Sequence, residues 1–165
     1  MKPLRKSDIT IYEDDTTARA PLTVRQEHGY AALHRTYTLI DGVSGETVAG
    51  FDRSNICALL RRAWIITGTD GRPIAGAKED TAAIAAVRRI LEFVPFVAIA
   101  AGLFRTNFQI FVVSESGEER RAGMFNRKLS LGDTYVLDLR DDPQRQLDRR
   151  IALALGILLD TGEAR

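Results

Sequence analysis

Apolar and polar residues alternate in short runs along most of the chain, and glycine-containing turns separate these runs. In residues 108–113, Phe108, Ile110 and Val112 fall on one face of an extended chain, and the intervening residues fall on the other. The runs are rich in β-branched and aromatic residues. A period of two in such segments predicts β-strands.

Three segments repeat the order strand, glycine turn, strand. They read YTLIDGVSGETVAGF from Tyr37, WIITGTDGRPIAGA from Trp64 and FQIFVVSESGEERRAGMF from Phe108. Each turn contains a glycine beside Asp, Ser or Glu, and glycine adopts the positive φ of a hairpin turn without Cβ strain. The turn glycines are Gly45, Gly71 and Gly117. We predict three hairpins, with further strands at 9–12, 22–26 and 135–139, in an antiparallel meandering sheet or barrel.

Residues 79–104 interrupt the β pattern. Asp80 is a suitable N-cap, and the alanine-rich stretch through Leu91 favours a helix that Pro95 ends or kinks. Residues 93–104 are almost wholly apolar. As a helix they would span about 18 Å, well short of a bilayer core of about 30 Å. We therefore expect this helical, apolar insertion to cover the core, with an interfacial hairpin as the alternative.

A second helix is predicted over residues 143–160, with Asp142 as its cap and Gly162 just beyond its end. Its residues from Ile151 to Leu159 read IALALGILL, without one polar side chain. A helix that is apolar on every side has to be enclosed on every side. In a chain made mostly of hairpins, the simplest enclosure is a closed sheet wrapped around that helix, which also removes exposed strand edges.

The composition is that of one soluble globular domain over residues 1–165: 45% of the residues are hydrophobic, 27% are charged, and the net charge is +1. The single cysteine, Cys57, excludes a disulfide scaffold or a zinc finger and favours a reducing, cytoplasmic compartment. Residues 1–25 are mixed and charged, unlike a signal peptide, and we expect residues 1–21 to be a variable leader.

No catalytic motif is present in the sequence. The serines lack a G-x-S-x-G context, His28 and His34 are six residues apart, and no glycine-rich phosphate loop occurs. The acidic clusters at 13–15 and 138–142 lack EF-hand spacing. We expect the first cluster to form a solvated turn and the second to serve a loop and the cap of the last helix. The chain is therefore predicted to be no enzyme, with no cofactor and no metal.

Arginine occurs in four adjacent pairs, at 61–62, 88–89, 120–121 and 149–150. Most of these residues should form exposed ion pairs. The exceptions that we single out as a lipid- or anion-binding group lie near predicted strand starts: Arg61, Arg62, Arg127 and Lys128. Each such cation would contribute about 1 kcal/mol near an anionic membrane. A solvated charged rim is the alternative, and nucleic acid is not expected, because aromatic residues are not interleaved among the cations as in an RNA-binding sheet.

The segments MFNRKLSLGDTYVLDL from Met124, DRRIALALGILLD from Asp148 and LLRRAWIITGTDGRPIAGAKED from Leu59 resemble the LURP-one-related family. That family is related to the phospholipid scramblases and to the tubby C-terminal domains, and the resemblance covers about residues 22–159. It implies an α+β protein, mainly β with helices, with a tubby-like closed antiparallel barrel of about twelve strands around a buried C-terminal helix.

The same resemblance shapes the expected function. Tubby domains bind phosphoinositide headgroups through surface Lys and Arg residues. This sequence lacks the Pro-rich leader, the cysteine run and the apolar tail of the scramblases, so lipid scrambling is not expected. We expect a non-enzymatic barrel that binds anionic phospholipid headgroups or a membrane surface through its rim. The alternative is a protein-interaction adaptor or homo-oligomer that uses the apolar residues 93–104.

Overall fold

The computed structural model of the chain describes residues 8–30, 34–54, 63–79, 107–128 and 134–163. Within those ranges, the side chains at 28–30, 34, 54, 127–128 and 162–163 are not described. The predicted insertion therefore lies outside the described residues, except for Glu79. The structure corrects the prediction at that residue, because Glu79 is the last residue of a strand.

The described residues form a mainly β structure with one helix after the last strand. Nine strands make one antiparallel sheet whose spatial order follows the chain order, and each strand pairs with the next. The strands are β1 (Ile9–Ile11), β2 (Leu22–Tyr30), β3 (His34–Asp41), β4 (Thr47–Ser54), β5 (Ala63–Thr67), β6 (Pro73–Glu79), β7 (Asn107–Val113), β8 (Glu119–Lys128) and β9 (Thr134–Asp138). The predicted meander is confirmed, and its first strand lies inside the expected leader.

All three predicted hairpins are present, as β3–β4, β5–β6 and β7–β8. Their turn glycines have the positive φ that the sequence predicted: 73° at Gly45, 78° at Gly71 and 82° at Gly117. An L-residue would be strained at these angles. The glycines thus set where each strand reverses, and with it the register of each hairpin.

One face of the sheet, which we call the inner face, carries the core. Across five neighbouring strands, Tyr37, Phe51, Ile66, Ala75 and Val112 lie opposite one another in register, and all are buried. The same alternation buries inner-face residues on every strand from β2 to β8. The opposite, outer face is more exposed, as a sheet with a single buried face requires.

The helix, α1, runs over Arg149–Glu163. The predicted start at residue 143 is wrong, because Arg145 adopts a left-handed φ of 54°, which a helix cannot contain. The N-cap is Asp148 instead, whose Oδ1 accepts the N–H of Arg150 at 2.8 Å. The helix also continues past the expected end near residue 160 and includes Gly162. No described helix is long and apolar enough to cross a membrane.

The expected enclosure of α1 on every side is corrected on one flank. Ile151, Leu155 and Leu158 are at most 4% exposed, but Leu153 is 44% exposed. Among the described residues β1 and β9 are the two edges of the sheet and do not pair with each other. Most of α1 is therefore buried, and the described strands do not close around it.

The meander gives the sheet two distinct ends. At the hairpin end lie the turns of the three hairpins and the start of α1, where Arg150 contacts Asp41 at the end of β3. The opposite end, which we call the far end, holds the other termini of the strands: Tyr30, His34, Ser54, Ala63, Glu79, Asn107, Lys128 and Thr134. Side chains distant in sequence are thus brought together at each end.

Candidate functional site

A buried carboxylate, Asp142, organises the loop that leads into α1 at the hairpin end. Its side chain is 0% exposed and accepts the backbone N–H groups of Gln146 at 2.9 Å and Leu147 at 3.0 Å. Two guanidinium groups lie near it, from Arg149 at 3.4 Å and from Arg120 at 3.7 Å. The prediction that this acidic cluster serves a loop is confirmed, although the helix cap itself is a different aspartate.

Other arginines at the hairpin end also have carboxylate partners. Arg121 Nε lies 2.8 Å from Asp141, and Arg140 lies 2.6 Å from Asp138. The guanidinium of Arg140 lowers the pKa of the Asp138 carboxyl below its ordinary value. These pairs confirm the expectation of ion pairs for the arginines at 120–121 and extend it to residue 140.

Arg150 joins the start of α1 to the β3–β4 turn. Its guanidinium lies 2.8 Å from Asp41 and 2.8 Å from Asp148. The pKa of Asp41 is lowered first by the backbone N–H groups of Ser44 and Val43, which it accepts, and then by Arg150. Arg150 thus holds the start of the helix to the sheet, whereas Arg145, in the loop before α1, is exposed and has no ion pair among the described residues.

The inner face becomes charged at the far end. Arg35 of β3 and Arg53 of β4 lie directly opposite each other, and Arg53 lies opposite Trp64 of β5. The guanidinium carbon of Arg53 is 5.9 Å from the centroid of the Trp64 ring, within cation–π range. Tyr37 lies beside it, with its ring centroid 5.9 Å from that of Trp64. We call these four residues the arginine–aromatic cluster.

Arg35 differs from the paired arginines of the hairpin end. Within the described part of the chain it forms no ion pair or hydrogen bond, whereas Arg53 does have a partner. A buried carboxylate on the inner face, that of Glu79, is 4% exposed and lies two strands away from Arg53 on β6. Glu79 has a partner of its own. Arg35, Arg53 and Glu79 are thus charged residues with described side chains on the inner face at this end.

Two of the four predicted anion-binding residues lie in the described sheet. Arg127 and Lys128 are opposite Tyr135 and Thr134 at the far end, and their side chains are not described. They close β8 and do not begin a strand, which corrects the expected position. Arg61 and Arg62 lie outside the described residues, directly before β5, whose first residue is at the far end.

Arg35 and Arg53 were not among the predicted anion-binding residues. The sequence does contain a signal for them. Arg35 is separated by an even number of residues from the buried Tyr37 and Leu39, and Arg53 is separated in the same way from the buried Ala49 and Phe51. In a strand, a charged residue that lies on the same face as a series of buried apolar residues points towards the core. That pattern would have placed both arginines on the inner face.

The remaining predicted candidates contribute little to a site. His28 and His34 lie in β2 and β3 at the far end, without described side chains, and Cys57 lies outside the described residues. In the acidic cluster at 13–15, Asp14 accepts the backbone N–H of Thr16, so this cluster forms the exposed turn that was predicted. Nowhere in the described ranges are three metal-ligating side chains grouped to hold a metal ion.

A cleft of about 220 Å³ lies on the outer face of β6–β8. Lys78 and Arg121 line it, but Lys78 Nζ is 2.7 Å from Glu119 Oε1 and 4.4 Å from the centre of the Phe111 ring. Arg121 is paired with Asp141. Because both cations are already neutralised, this cleft is a weaker anion site than the far end.

Comparison of the chain with protein-family models, with curated proteins and with solved structures finds no match.

Proposed function

We propose that this chain is a non-enzymatic, tubby-like protein of the LURP-one-related type, and that it binds anionic phospholipid surfaces through cations at the far end of its sheet. One observation carries the proposal. The meander gathers Arg35, Arg53, Arg127 and Lys128 at the far end, while the described arginines that pair with aspartates around the start of α1 hold the hairpin end together.

For binding to an anionic membrane, the distribution of charge over the two ends matters more than the net charge of +1. A cation that already has a carboxylate partner gains little from a membrane, because binding would have to replace that partner. A cation without one gains about 1 kcal/mol near an anionic surface, and this attraction falls off within a Debye length of about 8 Å at physiological salt. Arg35, which has no ion pair among the described residues, supports binding at the far end.

The proposal includes a closed barrel of about twelve strands. The contacts of α1 support it, because this one helix contacts both β4 and β9, which are five strands apart in the sheet order. Five strand spacings of about 4.8 Å would separate these strands by roughly 24 Å in a flat sheet, about twice the diameter of a helix. In the proposed barrel, the sheet curves and brings both strands to the same helix.

The location that we propose is the cytoplasmic side of a membrane, with the protein bound peripherally. It follows from the anionic lipid of that leaflet and from the single cysteine of the sequence. The adaptor alternative depends on residues 93–104, which lie outside the described residues, and no described contact favours it.

Flotation with lipid vesicles tests the proposal. The full chain is mixed with vesicles of phosphatidylcholine alone, or with vesicles of phosphatidylcholine that contain about 30 mol% phosphatidylserine. Each mixture is measured at a low and at a physiological salt concentration. We expect binding to the anionic vesicles only, and weaker binding at the higher salt. Absence of binding to anionic vesicles at low salt would refute the proposal.

A double variant, Arg127→Gln with Lys128→Gln, tests which end binds. Two cations at about 1 kcal/mol each correspond to a roughly thirtyfold loss of affinity. The matched control is Arg72→Gln, which removes one exposed cation from the β5–β6 turn at the hairpin end, where Arg72 lies 3.7 Å from Asp70. We expect less than a twofold change for the control. A loss of about fivefold for the control, which is the same loss per cation as in the double variant, would assign binding to net charge and not to the far end.

A further inference from the structure

We infer that the arginine–aromatic cluster is an oxyanion site that binds a phosphate group on the inner face of the sheet. The inference deepens the proposed function and rests on it for the lipid source of that phosphate. Its own chemistry is more specific than attraction to a charged surface, because it requires two guanidinium groups at fixed positions around one anion.

The register fixes those positions. Arg35 and Arg53 are cross-strand partners, and directly opposite residues of an antiparallel pair have Cβ atoms about 5 Å apart. Both side chains leave the sheet on the same face, since Arg53 lies opposite the buried Trp64. Guanidinium groups present their N–H donors in a planar fork that matches the oxygens of a phosphate. Two such forks side by side can bind one tetrahedral anion between them.

The charge balance supports an anion at this position. Like charges directly opposite each other destabilise a strand pair, and Arg35 has no carboxylate within ion-pair distance among the described residues. The guanidinium of Arg35 is therefore a positive charge without a counter-ion among the described residues. A bound phosphate would neutralise that charge and remove the repulsion between the arginines.

The surroundings make the pair suited to binding and also accessible. Both arginines keep part of their surface exposed to solvent. The rings of Trp64 and Tyr37 form an apolar floor, and the Trp64 ring positions the Arg53 guanidinium from one side. Partial exclusion of water strengthens a charge-assisted hydrogen bond relative to one on an open surface.

Trp64 is the only tryptophan of the chain, so its fluorescence reports on this site directly. Inorganic phosphate is titrated into the full chain at constant ionic strength, with chloride as the reference anion. We expect a saturable change in Trp64 emission with phosphate and none with chloride. A response that is absent, or the same for both anions, would overturn the inference.

Arg35→Gln is the decisive variant because its two expected effects have opposite signs. Without phosphate it should melt at the same temperature as the unmodified chain or higher, because the repulsion with Arg53 is gone. With phosphate its affinity should fall at least tenfold. Arg35→Lys should restore part of that affinity, and Arg72→Gln, as the matched control, should leave it unchanged. A lower melting temperature for Arg35→Gln together with unchanged phosphate affinity would show that Arg35 is only structural.

Vesicles distinguish the source of the phosphate from the existence of the site. Phosphatidic acid presents a phosphate monoester, whereas phosphatidylglycerol presents a diester at a similar surface charge. Preferential binding to phosphatidic acid that Arg35→Gln abolishes supports a lipid headgroup in the cluster. A response to inorganic phosphate without vesicle binding supports the site and refutes the proposed membrane function. Vesicle binding that depends on Arg127 and Lys128, without any phosphate response, refutes the site and leaves the membrane function in place.

Discussion

Asp142→Asn should destabilise the protein more than any other single-atom exchange at the hairpin end. The carboxylate of Asp142 is fully buried and accepts two backbone N–H groups, at 2.9 and 3.0 Å. Asparagine keeps the shape but offers only one oxygen. Its NH₂ group would therefore face either a backbone N–H or a guanidinium group, and both of these are donors.

The expected loss of unfolding free energy is about 3 kcal/mol. A hydrogen bond to a charged acceptor contributes about 1.5–3 kcal/mol, and the exchange removes at least one of them. Breaking a buried ion pair costs about 3–5 kcal/mol. The upper part of that range does not apply, because the side chains of Arg149 and Arg120 are 38% and 48% exposed and water screens them. For a domain of this size the loss corresponds to a melting temperature lower by roughly 6–12 °C.

Urea unfolding, followed by Trp64 fluorescence and by circular dichroism, measures this loss from the shift of the midpoint at unchanged slope. Asp15→Asn is the matched control, since it makes the same exchange on an exposed side chain, and it should change the stability by less than about 0.5 kcal/mol. A loss below about 1 kcal/mol for Asp142→Asn would refute the argument that this carboxylate anchors the loop before α1.

Three further comparisons test the packing and the charges. In urea unfolding, Leu155→Ala should lower the free energy of unfolding by about 3 kcal/mol, because this side chain is 0% exposed. Leu153→Ala should lower it by less than about 1 kcal/mol, because that side chain is 44% exposed. Equal losses would contradict the exposed flank of α1. Gly123→Ala should lower the melting temperature strongly, since its Cβ would overlap a backbone carbonyl oxygen of β9. Gly156→Ala should be nearly neutral, because a contact of 3.3 Å with an aromatic ring of β8 offsets a gain of about 1 kcal/mol in helix propensity. Backbone N–H groups lower the pKa of Asp41 in the folded chain. The ionised Asp41 therefore stabilises the folded state above its unfolded pKa of about 3.9, and this stabilisation is lost as the pH falls through the lower folded pKa. Melting temperatures measured below about pH 4 should therefore fall less steeply for Asp41→Asn than for the unmodified chain, and parallel curves would contradict this assignment.

The local features of the fold were predictable because short-range sterics determine them. The turn glycines at 45, 71 and 117 require positive φ whatever surrounds them, and the alternation of apolar residues assigns a face to each neighbouring strand residue. The order of the strands followed as well, since consecutive hairpins with short turns pair with their chain neighbours. These inferences needed no knowledge of long-range contacts.

The start of α1 was not predictable in the same way. A proline at position 143 after an aspartate is typical of a helix start, and that pattern predicted a helix six residues too early. The backbone instead bends at Arg145 so that Asp142 is buried and accepts the backbone N–H groups of the turn. Whether Asp142 or Asp148 caps the helix depends on which of them is buried, and burial is determined only in the folded chain.

The sequence by itself determined the strands, their turns and their order, because these depend on neighbours along the chain. Only the tertiary structure decided which flank of α1 stays exposed at Leu153, and which arginines meet carboxylates. It also placed Arg35 against Arg53 on the inner face. The physical reason is that charge pairing and burial depend on distances between residues far apart in sequence, and the pairing of the strands and the packing of the helix set those distances.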